Sequence, residues 1–210
     1  MCDSSDAVRE KKRALDAALQ AYGDEEDLAA RQAIEARLWE AHGRRCAVFI
    51  SDLSGFSRLT EKYSIVHFLA LICECRRLLV PLIEDHGGTL IKTTADNVYA
   101  VFPAAANAID AGVAAQRLLD RRNTGRHPDW QIRLCVGVGY GKILVLEDLD
   151  FYGHQLNLAF KLGEDLAEPG EILVTVEALE QAGHGRYPHE LRSVVCSGVA
   201  IPHAAVRHEP

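Results

Sequence analysis

Two aspartates, Asp52 and Asp96, and the turn Asp52-Leu-Ser-Gly-Phe-Ser57 stand out in this 210-residue chain because their types suit chemistry on phosphate. Hard divalent cations take oxygen ligands, commonly one or two carboxylates together with substrate phosphates. A small glycine-containing turn ahead of a helix offers backbone N–H groups and the positive end of a dipole to whatever the cation holds. Taken singly, each aspartate is better read as a turn residue capping its own loop. The choice depends on whether the fold brings the two together.

The elements that position them follow from hydrophobic periodicity. Cys46 to Ser51 is a run of apolar and β-branched residues typical of a buried strand. Ser57 to His86 reads as one long helix, with Ser57 as its N-cap, Gly87-Gly88 as its stop and Pro81 as a kink or restart. Thr89 to Thr94 and Val98 to Phe102 form a hairpin around Ala95-Asp96-Asn97. Ala104 to Arg122 is an Ala-rich helix, and Gln131 to Gly139 and Ile143 to Leu146 are strands around a Gly-rich corner. His154 to Leu166 is a helix, Glu171 to Val174 a strand, Val176 to Ala182 a short helix, and Leu191 to Val206 two weaker strands. The order from residue 46 is β-α-β-β-α-β, the ferredoxin-like arrangement of an α+β fold, with extra C-terminal strands. In a right-handed crossover the first two strands run parallel. The end of the first strand, at Asp52, then meets the hairpin tip, at Asp96, on one sheet edge. Two carboxylates held there repel each other unless a cation sits between them. The bottom-up reading is a metal–nucleotide site.

Residues 7 to 42 differ in character, being rich in Ala, Leu, Glu, Arg and Lys. Leu15, Leu19 and Tyr22, and then Leu28, Ile34, Leu38 and Trp39, recur at helical spacing, giving two amphipathic helices joined near Gly23. They would pack on the domain or zip to a second chain.

Composition bounds the function classes. With 48% hydrophobic and 25% charged residues, the chain is an ordinary globular protein able to bury roughly 70% of its unfolded surface. Its 23 Lys and Arg against 30 Asp and Glu give a net charge of -7, which argues against nucleic acid as a partner. Six cysteines without metal spacing read as free thiols of a reducing compartment. The longest apolar run, Ile65 to Ile83, carries His67, Glu74, Arg76 and Arg77, so no membrane insertion is expected and a cytoplasmic location is. Gly137-Val-Gly-Tyr-Gly-Lys142 looks like a phosphate loop, but a strand pattern follows it rather than a helix. Zinc and serine-hydrolase patterns are missing from the histidines and serines.

Three segments carry a family resemblance. Phe49-Ile-Ser-Asp-Leu-Ser-Gly-Phe-Ser57 resembles the first metal motif of class III nucleotidyl cyclases, the adenylate and guanylate cyclase catalytic domains. Gly87 to Phe102 resembles their second metal hairpin, and Asp150 to Lys161 the segment for base recognition and transition-state contacts. All three occur in the family's order and span roughly residues 46 to 180.

The resemblance implies that Asp52, Asp96 and the carbonyl of Leu53 hold two Mg²⁺ or Mn²⁺ ions. Amides of Ser54, Gly55, Phe56 and Ser57 would cradle phosphate. Lys92 and Asp150 match the adenine-selecting pair, Asn157 would orient the ribose, and Lys161 stands where the family has arginine. Lys92 lies in an otherwise apolar strand and reads alternatively as a lysine extending from a sheet edge. Asn157 and Lys161 share a helix face and read alternatively as ordinary polar surface. Two further departures are Ala95 in place of the family's glycine and the lack of any lysine after Lys161. Residues 1–44 would then be a regulatory or dimerising extension and residues 45–210 the catalytic domain. The implied activity is conversion of ATP to 3′,5′-cyclic AMP and pyrophosphate at sites shared across a homodimer. A pyrimidine cyclase making cyclic CMP or cyclic UMP, and a degenerate module that signals without catalysis, are the alternatives.

Overall fold

The computed structural model describes residues 3–146, 150–196 and 198–208. Strand β1 (Gly43–Leu53) is the centre of the sheet, and Cys46 to Ser51 along it are buried. It pairs antiparallel with both β3 (Asn97–Phe102) and β4 (Leu134–Leu146). Strand β2 (Thr89–Thr94) pairs antiparallel with β3, so β1 and β2 run parallel, as the crossover requires. Beyond β4 come β6 (Ile172–Thr175), β8 (Val199–Val206) and β7 (His189–Cys196), in the order β2-β3-β1-β4-β6-β8-β7. The βαββαβ core of an α+β fold is therefore present, extended by C-terminal strands.

Alternation along β1 divides the core in two. Phe49 and Leu53 point to one face, beneath α4 (Ile65–Asp85), α5 (Ala105–Asn123) and α7 (Val176–Ala182), with Phe68, Phe102 and Ile109. Val48 and Ile50 point to the other, with Tyr99, Phe151 and Ala159. Ala159 belongs to α6 (His154–Phe160), which covers that second face.

Several boundaries differ from the sequence reading. The long helix is two, α3 (Phe56–Lys62) and α4, separated by Tyr63 and Ser64 in extended conformation. Pro81 neither stops nor restarts α4; it and Arg77 lie on the exposed side, where water can satisfy the carbonyl that loses its partner. The Gly-rich corner is instead the middle of one 13-residue strand, β4. Its glycines serve helix contact: a Cβ on Gly137 would stand 2.0 Å from the Ala159 carbonyl oxygen, and one on Gly139 2.5 Å from that of Gln155. Strand β5 (Asp150–Tyr152), which periodicity did not reveal but which the family resemblance implied as a strand leading into a helix, pairs with the end of β4. After Phe160, α6 widens into a π-helical turn, Lys161–Leu166.

At the N-terminus, α1 (Asp3–Asp24) runs through Gly23, and α2 (Leu28–His42) starts after Asp27, whose side chain accepts from the Ala30 amide at 2.8 Å. No residue of α2 is buried, but Lys142 of β4 stacks over the Trp39 ring at 4.3 Å. Cys46, Cys75 and Cys135 are buried free thiols, whereas Cys73 is exposed. Among the described residues no helix is long and apolar enough to cross a membrane.

Candidate active site

Asp52 is the penultimate residue of β1, paired with Cys135, rather than the first residue after the strand. Asp96 occupies the two-residue turn between β2 and β3, where Thr94 pairs with Asn97. Parallel β1 and β2 put both at one edge, and the electrostatics register the meeting. Burial and then the charge of Asp96 push the Asp52 carboxyl up to about 6, against a hydrogen bond from the Leu53 amide. A pair of carboxylates left to repel in this way suits a divalent cation. Among the described residues no three His, Cys, Asp or Glu side chains converge to hold an ion by themselves. Asp52 and Asp96 would hold Mg²⁺ or Mn²⁺ together with substrate oxygens.

Gly55, not Ser57, is the N-cap of α3, and its φ of 101° is a left-handed conformation that favours glycine. The Ser54 amide donates to the Arg133 carbonyl at 2.9 Å, so it is committed to the backbone and is not free to cradle a phosphate. Amides of Gly55, Phe56 and Ser57 remain for that task; the side chains of Phe56 and Ser57 lie outside the described residues. At the hairpin tip Ala95 keeps the left-handed turn in spite of its side chain, with φ 49°.

Lys92 and Asp150 are brought together directly. The ammonium donates to the two carboxylate oxygens at 2.9 and 3.0 Å and lies 5.2 Å from the centre of the Tyr99 ring. A register shift between Leu90 and Lys92 sets Lys92 opposite Tyr99, while Leu90 faces Ala100. This bulge places Lys92 on the α6 side of the sheet and not on the Leu90 face that strict alternation predicts. Asn157 is exposed on α6. Lys161 lies apart from both pairs, its ammonium donating to the Cys196 sulfur at 3.2 Å and facing Asp165 at 3.6 Å. Arg192 is paired with Glu171 and Glu190.

Two residues escaped the sequence reading. Glu164, in the π-helical turn, accepts from the side chain of Asn97 and from the Tyr99 hydroxyl at 3.4 Å. Burial, followed by the charge of Asp52, pushes its carboxyl up to about 7. Asp129, 2% exposed, receives Lys62, Arg58 (2.6 Å) and the Tyr63 hydroxyl (2.8 Å), and so clamps α3 behind the Asp52 turn. The bond from Lys62, then those from Arg58 and Tyr63, hold its carboxyl well below the usual range. A depressed pKa contributes stability above the unfolded value of about 4 that is lost as pH falls through the folded value. Asp129→Asn is therefore expected to melt several degrees lower than wild type at pH 7, with the gap beginning to narrow only in melts below about pH 4.

No model of a known protein family matches the chain. A putative adenylate cyclase of Rhizobium meliloti is 34% identical over 143 residues, 68% of this chain and 24% of the relative. The adenylate/guanylate cyclase/hydrolase structure from Silicibacter pomeroyi superposes with TM-score 0.68 at 25% identity, over 78% of this chain and 95% of that one. The chain belongs to the class III nucleotidyl cyclases. The chain spans about a quarter of the length of that Rhizobium relative. The guanylyl cyclase Cya2 aligns as well, with TM-score 0.68 at 22% identity over 78% of this chain and 92% of its own, so the fold is common to proteins named for different bases.

Proposed function

We propose that this chain is a homodimeric adenylate cyclase that converts ATP to cyclic AMP and pyrophosphate. The observation that carries the reading is the Lys92–Asp150 pair, a donor beside an acceptor, on the same sheet as the opposed carboxylates Asp52 and Asp96. Lys92 would donate to adenine N1 and Asp150 accept from the exocyclic amine. Asn157 would orient the ribose, and Lys161 would offset charge developing on the α-phosphate. Amides of Gly55, Phe56 and Ser57 would receive phosphate oxygens. Two Mg²⁺ or Mn²⁺ ions on Asp52, Asp96 and the Leu53 carbonyl would acidify the ribose 3′-hydroxyl and neutralise the triphosphate. In the shared arrangement, Asp52 and Asp96 come from one protomer and Lys92, Asp150, Asn157 and Lys161 from the other. Residues 1–44 would regulate or dimerise the catalytic domain of residues 45–210.

Cyclic CMP formation is the second reading, favoured by the same pair. Cytosine, like adenine, sets an acceptor ring nitrogen beside an amine. Uracil and guanine instead turn a carbonyl toward Asp150, which costs affinity. The test incubates the protein with equimolar ATP, GTP, CTP and UTP in Mn²⁺ or Mg²⁺ and identifies products by mass spectrometry, with Asp52→Asn as blank. Cyclic AMP lost in the variant is expected. Cyclic CMP would move the assignment to the second reading. A folded dimer that yields no cyclic nucleotide would overturn both and leave a signalling module without catalysis.

A further inference from the structure

The turn that carries Asp96 is both strained and held from outside. Ala95 is the sole non-glycine residue among those described with positive φ. Left-handed backbone costs an alanine roughly 1 kcal/mol and persists where neighbouring groups over-determine it. Two side chains from other elements do so here. Arg76 of α4 donates to the Ala95 carbonyl oxygen from one side. From the other, the Oε1 atom of Glu164 accepts from Nδ2 of Asn97, the residue next to Asp96. Asn97 is 9% exposed, and the same amide reaches the Tyr99 hydroxyl at 3.2 Å, so a buried donor is satisfied by a small fixed network.

Glu164 comes from far along the chain, 67 positions after Asn97, in the π-helical turn that begins at Lys161. Gly163 beside it lies against β4, since a Cβ there would stand 2.8 Å from the Gly137 nitrogen. The turn is thus seated on the sheet and gives Glu164 a rigid base. Oε1 of Glu164 is taken up by Asn97 and Tyr99, which marks it as a partner of the hairpin turn.

Resting on the cyclase reading, we propose that Glu164 is a positioning residue: by holding Asn97 it fixes the turn from which Asp96 reaches the metal ions. Partners bonded directly to a metal ligand are worth about 10–100-fold in metal affinity, and Glu164 acts one residue further off, through Asn97, so the lower end of that range is expected. The working part of Glu164 is a hydrogen-bond acceptor, so glutamine, which keeps a carbonyl oxygen there, does the same task, and alanine does not.

The test compares Glu164→Ala and Glu164→Gln in the full-length chain by two readouts. Hydrogen exchange without metal is expected to quicken across residues 94–98 by about tenfold in Glu164→Ala and to stay near wild type in Glu164→Gln. The Mn²⁺ concentration giving half-maximal turnover is expected to rise about tenfold in Glu164→Ala, with kcat at saturating Mn²⁺ changed far less. A purely structural role would lower the melting temperature and kcat and leave the Mn²⁺ dependence in place. If Glu164→Ala does not fold, Asn97→Ala removes the same bond from the other side and is read the same way. Unchanged exchange in the alanine variant overturns the proposal, as does a glutamine variant as impaired as alanine. Faster exchange in Glu164→Ala with no cyclic product from wild type would uphold the tie and sink the cyclase reading. Product formation with unchanged exchange would do the reverse.

Discussion

Asp52→Asn is expected to lose at least about 100-fold in cyclic nucleotide formation while melting no lower than wild type at neutral pH. The two halves of that expectation have one cause. Burial and the neighbouring Asp96 charge hold the carboxyl at about 6, so its ionised form is disfavoured when no cation is present. A raised folded pKa means stability that is fully present below pH 4 and lost as pH rises through 6. Two pH units correspond to at most about 3 kcal/mol, and solvent screening of this partly buried carboxyl makes the loss smaller. Asparagine removes the charge and with it this loss. In metal-free protein the melting temperature of wild type is expected to fall between pH 4 and 7, and that of Asp52→Asn to fall less. Adding Mn²⁺ at pH 7 recovers the wild type and leaves the variant where it was. A variant that still cyclises nucleotide, or that tracks wild type across the pH series, would show that the carboxylate pair is not a cation site.

Gly137→Ala is expected to cost about 3 kcal/mol or more, a fall of about 10 °C in melting temperature for a chain of this size. Its new Cβ would lie 2.0 Å from the Ala159 oxygen and 2.6 Å from the Gly163 nitrogen. Both are backbone atoms, so no side chain can rotate away and α6 has to lift. Asn157 and Lys161 ride on that helix and the turn after it, so turnover falls in whatever fraction still folds. Gly112→Ala is the matched control. Its Cβ would sit 3.5 Å from Ile172, an ordinary contact, and alanine in a helix interior adds up to about 1 kcal/mol. Thermal melts of the pair decide the matter: if both shift alike, close seating of α6 on β4 is not what these glycines provide.

The meeting of Asp52 and Asp96 was legible because it depends on strand order alone, and the apolar runs around them are short and well bounded. Lys92 with Asp150 was legible through resemblance, although the bulge before Lys92 was not, since an extra residue leaves no mark on composition. The break between α3 and α4 was hidden because helical periodicity continues through Tyr63 and Ser64. The glycines of β4 misled for a related reason: a missing side chain can serve a bend or a close contact, and the chain alone does not say which. Glu164 and Asp129 were invisible because their partners lie 67 and 71 positions away, outside any local pattern. The π-helical turn shifts by one residue where every later side chain of that helix points, so Glu164 could not be aimed from spacing.

Lys92 and Asp150 already satisfy one another before any base arrives. On the proposed base-reading role of this pair, recognition is an exchange: a base must part the two and return an equivalent bond to each. With side chains 36% and 29% exposed, the bond surrendered is a modest one, worth about 1 kcal/mol or less. The correct base gains little net affinity from the swap, whereas one of opposite hydrogen-bond polarity leaves a desolvated ammonium and carboxylate without partners. Such a reader sets fidelity by rejection. On that reading, tight binding of the nucleotide comes from the phosphate end.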